Sequence, residues 1–425
     1  MLRVKLGNHD LIKKRSVGAW ILLLWLLNDI ILSISRFLLT RMNIYGFIRN
    51  SILLFLTMIP IAFFLIYMKQ IGQRKYRFFW GIYFVIILAY FFTYLINPDI
   101  AYFYEREDYG LQRVFRPDGA IYALLFFSLC DNTKELYDIV KKYAYIDFGY
   151  LLVFQFLPAY MGGGWTDIGS NGTMVVRQYS LSFGYAMLLP VIVFLYLYIK
   201  HKKMYYLIFS FVGGVLIFTN GSRGALLMLA LFIGLMMISN IVESPKASYK
   251  ILKIGSIIVL IFILFLFGET LLRSFVNFAQ DLGIQSRTLD LLLSGDISSD
   301  TGRDVIWAAV IDAIKNGGIF GHGVFGERPY VFPIHYAAYS HNIVLELVCS
   351  FGIIGVGVCI FLIVGTLRMV FFCKDTQMRE IFIIFFSVAS QLFLSLSFWY
   401  VWEFWAAIAI AHRYFQTERK RKLNG

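Results

Sequence analysis

Long apolar runs are the feature that most restricts how this chain can fold. About twelve of them are long enough to cross the roughly 30 Å of hydrocarbon in a bilayer. Charged residues make up only 15% of the 425 residues, against about 25% in ordinary soluble domains. The sequence therefore predicts an all-α integral membrane protein with about twelve transmembrane helices, or eleven as the alternative. The predicted spans are Val17–Leu38, Phe47–Met68, Phe78–Ile96, Val114–Cys130, Tyr143–Met161, Tyr179–Ile199, Met204–Asn220, Arg223–Ile241, Ile251–Thr270, His341–Phe372, Glu380–Trp399 and Val401–Phe415.

The distribution of charge predicts the orientation of these spans. The net charge is +13, which alone would also fit nucleic-acid binding. Lys and Arg are instead concentrated in every second loop, the pattern of cytoplasmic loops in membrane proteins. We therefore expect a lipid bilayer rather than a nucleic acid as the partner, and both termini in the cytoplasm. The basic segments are the N-terminus, Lys69–Arg77, Lys134–Lys142, Lys200–Lys203, Lys246–Lys253, Lys374–Arg379 and the tail around Arg419–Lys422.

The basic residues predicted on the outer side are almost all arginine, with Lys315 as the exception. Arginine binds phosphate through paired hydrogen bonds, whereas lysine supplies a point charge. The bias fits an anionic ligand at the outer face, or simply a preference of lysine for the inner leaflet. The sequence leaves both interpretations open.

One long outer segment interrupts the run of spans. We expect a single membrane domain over residues 1–425, with a large extracytoplasmic loop at 271–340 between the ninth and tenth spans; loops of this length are commonly functional. Asp300 or Thr301 can cap a helix that begins at Gly302. This pattern predicts an amphipathic helix on the outer membrane surface. Its apolar residues recur at helical spacing: Ile306, Val310, Ala313 and Ile314.

Three arginines could face a ligand on the outer side. Arg223 lies between two apolar runs with almost no loop between them, and a charge at membrane depth favours a functional role over snorkelling to headgroups. Arg177 precedes the sixth span and could pair with Arg223 as a phosphate clamp. Arg303 begins the loop helix and is either a ligand contact or a solvated surface charge.

His341 is the candidate general base. Ser340 is predicted to cap the tenth span, so the positive end of the helix dipole would keep the His341 ring neutral and able to accept a proton. Asn342 and Glu346 are one turn apart on the same face of that helix. A structural role for His341 is the alternative, and His322 and His335 are weaker rivals in the loop.

Motifs for metal ions and nucleotides do not occur in the sequence. It contains no Asp-x-Asp, no histidine pair at i and i+4, no cysteine pair and no Walker loop, which are the usual signatures of such sites. We therefore expect chemistry without a metal ion or a cofactor.

Several short stretches in the C-terminal half resemble the O-antigen ligase/polymerase superfamily, both in residues and in order. The first is a small-residue arginine hairpin, the second lies in the outer loop, and the third opens the next span. They are Ser222-Arg223-Gly224-Ala225, then Gly302-Arg303 with Trp307 and Gly321-His322-Gly323, then Ser340-His341-Asn342 with Glu346 and Phe351-Gly352-Ile353-Ile354-Gly355.

This resemblance implies a C-type glycosyltransferase architecture and a Wzy-like polysaccharide polymerase in the bacterial inner membrane. Such an enzyme joins undecaprenyl-pyrophosphate-linked oligosaccharides into capsule, exopolysaccharide or O-antigen, with a flippase and a chain-length regulator as candidate partners. Arg177 and Arg223 would bind the pyrophosphate, and His341 would take the acceptor proton. Residues implied in substrate binding are Arg303, Tyr339, Asn342, Glu346 and His322.

Two alternatives remain at this point. A ligase of the same superfamily would transfer the finished glycan to a lipid acceptor, and the quoted motifs do not separate it from a polymerase. A transporter or flippase for the lipid-linked glycan would need charges through the depth of several spans. The clearest mid-span charges are Asp29 and Asp147, whereas the Arg and His residues gather at one face, which favours an enzyme.

Overall fold

The computed structural model describes residues 16–168, 173–177, 179–220, 223–244, 246–255, 270, 273–274, 277 and 302–424. The basic N-terminus, most of the predicted span Ile251–Thr270 and the predicted caps Asp300 and Thr301 lie outside these residues. Within them the chain is mostly helical. Helices are numbered here along the described part of the chain.

The elements before residue 180 are long helices interrupted by short ones and by one β-hairpin. A 3₁₀ turn at Pro98–Ile100 and a π-helical turn at Leu151–Phe156 join neighbouring helices. The elements are α1 (Val17–Leu26), α2 (Asn28–Arg41), α3 (Gly46–Ile71), α4 (Gln73–Ile96), α5 (Ala101–Glu105), α6 (Leu111–Phe115), α7 (Tyr122–Ser128), α8 (Thr133–Tyr150), α9 (Leu157–Met161), β1 (Trp165–Ile168) and β2 (Met174–Arg177).

The elements after residue 180 are mainly long helices. A 3₁₀ turn at Ser390–Phe393 follows the seventh of them. They are α10 (Leu181–His201), α11 (Met204–Asn220), α12 (Arg223–Val242), α13 (Arg303–Asn316), α14 (Arg328–Val331), α15 (Ile343–Phe372), α16 (Thr376–Ala389) and α17 (Trp402–Asn424).

Five of the described helices, α3, α4, α10, α12 and α15, are long and apolar enough to cross a membrane. The pair α1 and α2, bent by 47° at Leu27, makes a sixth candidate. These helices are consistent with an all-α integral membrane protein of several spans. The count of about twelve stays a prediction. The predicted span Val114–Cys130 is not one helix, since Arg116–Ile121 separate α6 from α7.

A two-stranded β-hairpin departs from the all-α expectation. Strand β1 pairs antiparallel with β2, so that Trp165 lies opposite Arg177. Gly163 and Gly164 precede β1 with φ of +75° and +158°, which glycine adopts without a Cβ penalty. The glycine run therefore ends α9 and turns the chain into the hairpin.

The loops predicted to share a side of the membrane lie together in the fold. On the predicted inner side, Ser16 Oγ donates to Glu135 over 2.8 Å and Thr133 Oγ1 donates to Asp375 over 3.4 Å. On the predicted outer side, Tyr336 Oη donates to Asp108 over 3.1 Å. These loops therefore contact others of the same predicted side, and the alternation of inner and outer loops stays a prediction.

Helix α13 confirms the predicted start and apolar face of the loop helix, but this face packs on protein and not on lipid. Ile306, Val310 and Ala313 are buried, and they pack against Val331 of α14 and Cys349 of α15. Because protein covers this face, it is not available to lipid. The position of α13 at the outer membrane surface stays a prediction.

Helix α15 breaks at Gly352, and a loop of the outer segment fills the break. Gly352 has φ +54° and ψ −127°, so the backbone N–H of Ile353 donates to the Ile319 carbonyl over 2.9 Å. His322 N–H donates to the Cys349 carbonyl over 2.9 Å, and Gly323 N–H donates to Ser350 over 2.8 Å. Irregular backbone at membrane depth must be satisfied by protein. The inserted loop supplies those partners.

We expect Gly352→Ala to destabilise the protein by at least about 2 kcal/mol, because a Cβ there would collide with the Ile319 carbonyl oxygen and φ is positive. Thermal unfolding of the detergent-solubilised protein measures the effect. Gly357→Ala is the matched control, since its Cβ position is open and alanine favours a helix. Equal stability of the two variants would show that the inserted loop does not depend on this glycine.

Candidate functional site

His341 lies in a tight turn before α15. Its φ is +55°, and the helix begins only at Ile343. Asn342 is the N-cap, because its Oδ1 accepts from the N–H groups of Val344 and Leu345 over 3.0 and 3.2 Å. The prediction that Ser340 caps this helix is therefore wrong: the left-handed turn at His341 moves the helix start by two residues.

The His341 ring sits among other rings with unused hydrogen-bonding capacity. Tyr339 and His335 lie 4.5 and 5.3 Å from it, centroid to centroid. Its Nδ1 is buried and has no hydrogen-bond partner among the described residues. Burial, His335 and Arg303 lower the pKa of His341 to about 3. The ring is therefore neutral at pH 7 and its Nδ1 can accept a hydrogen bond, but a pKa so far below 7 makes the free ring a weak base.

Helix α13 brings Arg303 to His341. Trp307 Nε1 donates to the Ser340 carbonyl over 3.0 Å, which fixes the first turn of α13 beside the His341 turn. Arg303 begins this helix, and its charge acts on the His341 ring. Arg303, Tyr339 and His341, which the family resemblance assigned to one site, thus form one group.

The segments that carry Arg177 and Arg223 form a second group. Ser180 N–H donates to the Asn220 carbonyl over 2.7 Å, which joins the end of the β-hairpin to the α11–α12 hairpin. Arg177 is half-buried on β2 and donates to Tyr179 Oη over 3.2 Å. Arg223 is the first residue of α12. Their pairing as a phosphate clamp stays a prediction that this backbone link supports.

His322 contributes to the fold of the loop. Its Nε2 donates to the Ala313 carbonyl over 2.8 Å, and its Nδ1 lies 3.5 Å from Tyr330 Oη. The Nε2 atom of His322 is bonded to α13, and its backbone N–H is bonded to α15 at the break. These contacts position the loop beside the site. The amide oxygen of Asn342 is likewise used in capping its own helix.

A fully buried guanidinium, which the sequence did not single out, lies beneath the loop. Arg328 is 0% exposed. It donates to Tyr400 Oη over 2.7 Å and to the Tyr109 carbonyl, and it stacks over the Phe325 ring. Tyr400 also donates to that carbonyl. The outer loop, the segment before α6 and the segment before α17 therefore meet at one side chain.

Two buried carboxylates accompany Arg328. Glu327 accepts from Ser350 Oγ over 3.3 Å, and Glu346 accepts from Ser397 Oγ over 2.5 Å. Burial raises the pKa of Glu327, while Arg328 opposes the shift. Glu346, expected to bind substrate, is instead completely buried in this cluster. Charges in a long loop are usually solvated, so the pair Glu327-Arg328 gave no sequence signal.

An apolar groove begins directly after the His341 turn. It has a volume of about 410 Å³ and lies between α15, α16, α17 and α4. Ile343 and Leu347 line it near the start of α15, and Phe361, Phe386 and Phe415 line it further along. Among the described residues, no group of three His, Cys, Asp or Glu is placed to bind a metal ion.

Residues 207–361 match the family model described as O-antigen ligase. The match runs from α11 into α15 and confirms the predicted superfamily resemblance over this part of the chain. It contains Arg223, Arg303 and His341, but Arg177 precedes it. No curated protein and no solved structure matches the chain.

We expect acid to destabilise the wild-type protein through His341. The unfolded ring, with a pKa of about 6.5, binds a proton that the folded ring rejects down to about pH 3. Stability is therefore lost as the pH falls through 6.5, by about 2 kcal/mol between pH 7 and pH 5. Unfolding of His341→Gln, compared with wild type at both pH values, isolates this contribution. An equal loss in the variant would assign it to other groups.

Arg328→Met should destabilise the protein by about 3–5 kcal/mol, because it removes hydrogen bonds to two buried groups, the Tyr109 carbonyl and Tyr400 Oη, and the cation that opposes the effect of burial on Glu327. Tyr400→Phe removes two hydrogen bonds, one from Arg328 and one to the Tyr109 carbonyl, and should cost about 2 kcal/mol. Arg74→Met, at an exposed position in the first turn of α4, is the matched control. Denaturant unfolding in detergent ranks the three. An Arg328→Met variant as stable as Arg74→Met would contradict the role of the cluster.

Proposed function

We propose that this chain, which matches the O-antigen ligase family over residues 207–361, is a membrane glycosyltransferase. It polymerises oligosaccharide repeats carried on undecaprenyl pyrophosphate at the outer face of the bacterial cytoplasmic membrane. The observation that carries the proposal is the buried His341 ring with its unpartnered Nδ1, packed on Tyr339 and beside the first turn of α13, inside the matched segment. Ligase-type transfer to another acceptor uses the same chemistry.

The reaction needs a base and a stabilised leaving group. His341 takes the proton from the acceptor hydroxyl, the hydroxyl oxygen bonds to the anomeric carbon, and the bond from that carbon to the pyrophosphate oxygen breaks. The electron pair leaves with the carrier pyrophosphate. The free ring is neutral at pH 7 but weakly basic, so this step requires the negative charge of the bound pyrophosphate to raise the pKa of His341.

Arginines stabilise the charge that builds on the leaving group. Arg223 and Arg177 are the proposed clamp, since planar guanidinium groups bind phosphate oxygens in pairs. The backbone hydrogen bond from Ser180 to Asn220 holds their segments together without depending on substrate. Arg303 lies on the His341 side and faces the acceptor in this arrangement.

The apolar groove is the proposed seat of the polyprenyl chain. It starts at Ile343, two residues after His341, and continues between helices at membrane depth. A carrier lipid placed there keeps its pyrophosphate near the His341 turn and its tail among apolar side chains. Transfer of apolar surface into such a groove is favourable by about 25 cal/mol per Å².

We expect Arg223→Ala and His341→Ala to abolish long glycan chains. In a strain from which the gene is deleted, each variant is expressed at matched membrane levels, and lipid-linked and surface glycans are separated on gels. Arg223→Lys should restore little, because lysine lacks the paired geometry. Arg74→Ala, exposed on a predicted inner loop, is the control and should restore wild-type chains.

The pattern of glycan separates the alternatives. Single repeats in the deletion strain, which neither variant extends, are the result expected of a polymerase. Long chains that stay on the carrier would instead identify a ligase. Glycan unchanged in length and attachment in both variants would overturn the proposed site and favour a transporter.

A further inference from the structure

A second cavity lies at the bend of the first predicted span. It has a volume of about 240 Å³ and is bounded by the α1–α2 junction, the residues after α6 and the start of α17. Asp29, in the first turn of α2 just past the 47° bend, lines it. The bend therefore turns a carboxylate into an internal cavity rather than toward lipid.

The charges around this cavity balance. Asp29 is exposed to it and makes no hydrogen bond or ion pair with the described residues. Arg116 donates to both carboxylate oxygens of Asp118, over 2.6 and 2.5 Å. Arg113 donates one N–H to the Asp108 carbonyl over 3.1 Å. Two guanidinium groups and two carboxylates suit a neutral ligand with many hydroxyls better than a phosphate.

Aromatic rings form the remaining walls. Trp402 meets Trp25 at 6.0 Å and Tyr143 at 6.1 Å, with both pairs edge to face. Trp25 is held in place because its Nε1 donates to the Pro117 carbonyl over 3.1 Å. Rigid aromatic faces beside charged hydrogen-bonding groups fit a sugar ring, which has apolar C–H faces and a rim of hydroxyls.

Tyrosine rings connect this cavity to His341. Tyr400 lines the cavity and packs against Tyr109 at 5.8 Å between ring centroids. Tyr109 lies 5.6 Å from Tyr339, which lies 4.5 Å from the His341 ring. Three tyrosines in edge-to-face contact thus separate the cavity from the proposed base. One sugar of a saccharide chain can therefore bind in the cavity while another part of that chain reacts at His341.

We propose that this cavity is a saccharide-binding subsite, in which Asp29 and Arg113 bind hydroxyls of one neutral sugar of the oligosaccharide. The inference rests on the proposed function for the identity of the oligosaccharide. Asp29 supplies a charged acceptor and Arg113 supplies donors, so the subsite discriminates by hydroxyl position. It is separate from the arginine clamp, which binds the carrier pyrophosphate.

Binding of two separated halves of the substrate tests the subsite. Full-length protein in detergent is titrated with the oligosaccharide repeat released from its carrier by mild acid, and separately with undecaprenyl pyrophosphate that carries no sugar. The variants are Asp29→Asn and Arg113→Gln. Asp99→Asn is the matched control. Asp99 is exposed in the segment between α4 and α6, close in sequence to Arg113, and does not line the cavity.

We expect both cavity variants to weaken binding of the free oligosaccharide by about tenfold, as expected when a charged hydrogen bond is lost, and to leave binding of undecaprenyl pyrophosphate unchanged. Arg223→Ala should show the reverse pattern. Unchanged oligosaccharide binding in both cavity variants, or none in the wild type, overturns the subsite.

The same set of variants separates the two proposals. If Arg223→Ala and His341→Ala keep full transfer while Asp29→Asn loses oligosaccharide affinity, the subsite stands and the proposed reaction site fails. A size-exclusion profile equal to wild type shows that each variant is folded. If Asp29→Asn misfolds, Arg113→Gln alone decides, with the same expected and overturning results.

Discussion

The outer face of the molecule depends on the insertion of residues 319–323 into the break of α15. Helices in membranes satisfy their own backbone groups, so a break is tolerated only where another segment supplies the missing partners. Here the carbonyls of Cys349 and Ser350 are satisfied by His322 and Gly323. The half-helix that follows His341 is consequently hydrogen-bonded to the outer loop. Helix α13, which precedes residues 319–323 in that loop, places Arg303 beside the His341 turn.

Local patterns in the sequence were sufficient to predict the bounds of some single helices. The start of α13 at Arg303 and the helix Met204–Asn220 follow from periodicity and from the residues that interrupt it. The grouping of Arg303 with Tyr339 and His341 followed only from the family resemblance, because the turn at His341 and the Trp307 hydrogen bond are tertiary features.

Features that depend on distant partners could not be predicted. Gly352 lies in an apolar run that is typical of an ordinary membrane helix. Its positive φ goes together with the close approach of the Ile319 carbonyl, which belongs to a distant part of the sequence. The strands Trp165–Ile168 and Met174–Arg177 have only four residues each. They are too short to show a clear alternation of apolar and polar residues. The cavity at Asp29 depends on the bend of the first predicted span at Leu27. The sequence has no proline or glycine at Leu27 that would predict this bend.

The contacts of Arg328 also constrain the order in which the chain can fold. Its partners Tyr109 and Tyr400 are 219 residues before it and 72 residues after it. A ribosome makes the outer loop long before it makes Tyr400, so the guanidinium cannot reach its buried position until synthesis is nearly complete. The loop therefore closes late in biogenesis, after the helices around it are already in the bilayer, and a truncated chain would leave this charge without its enclosure.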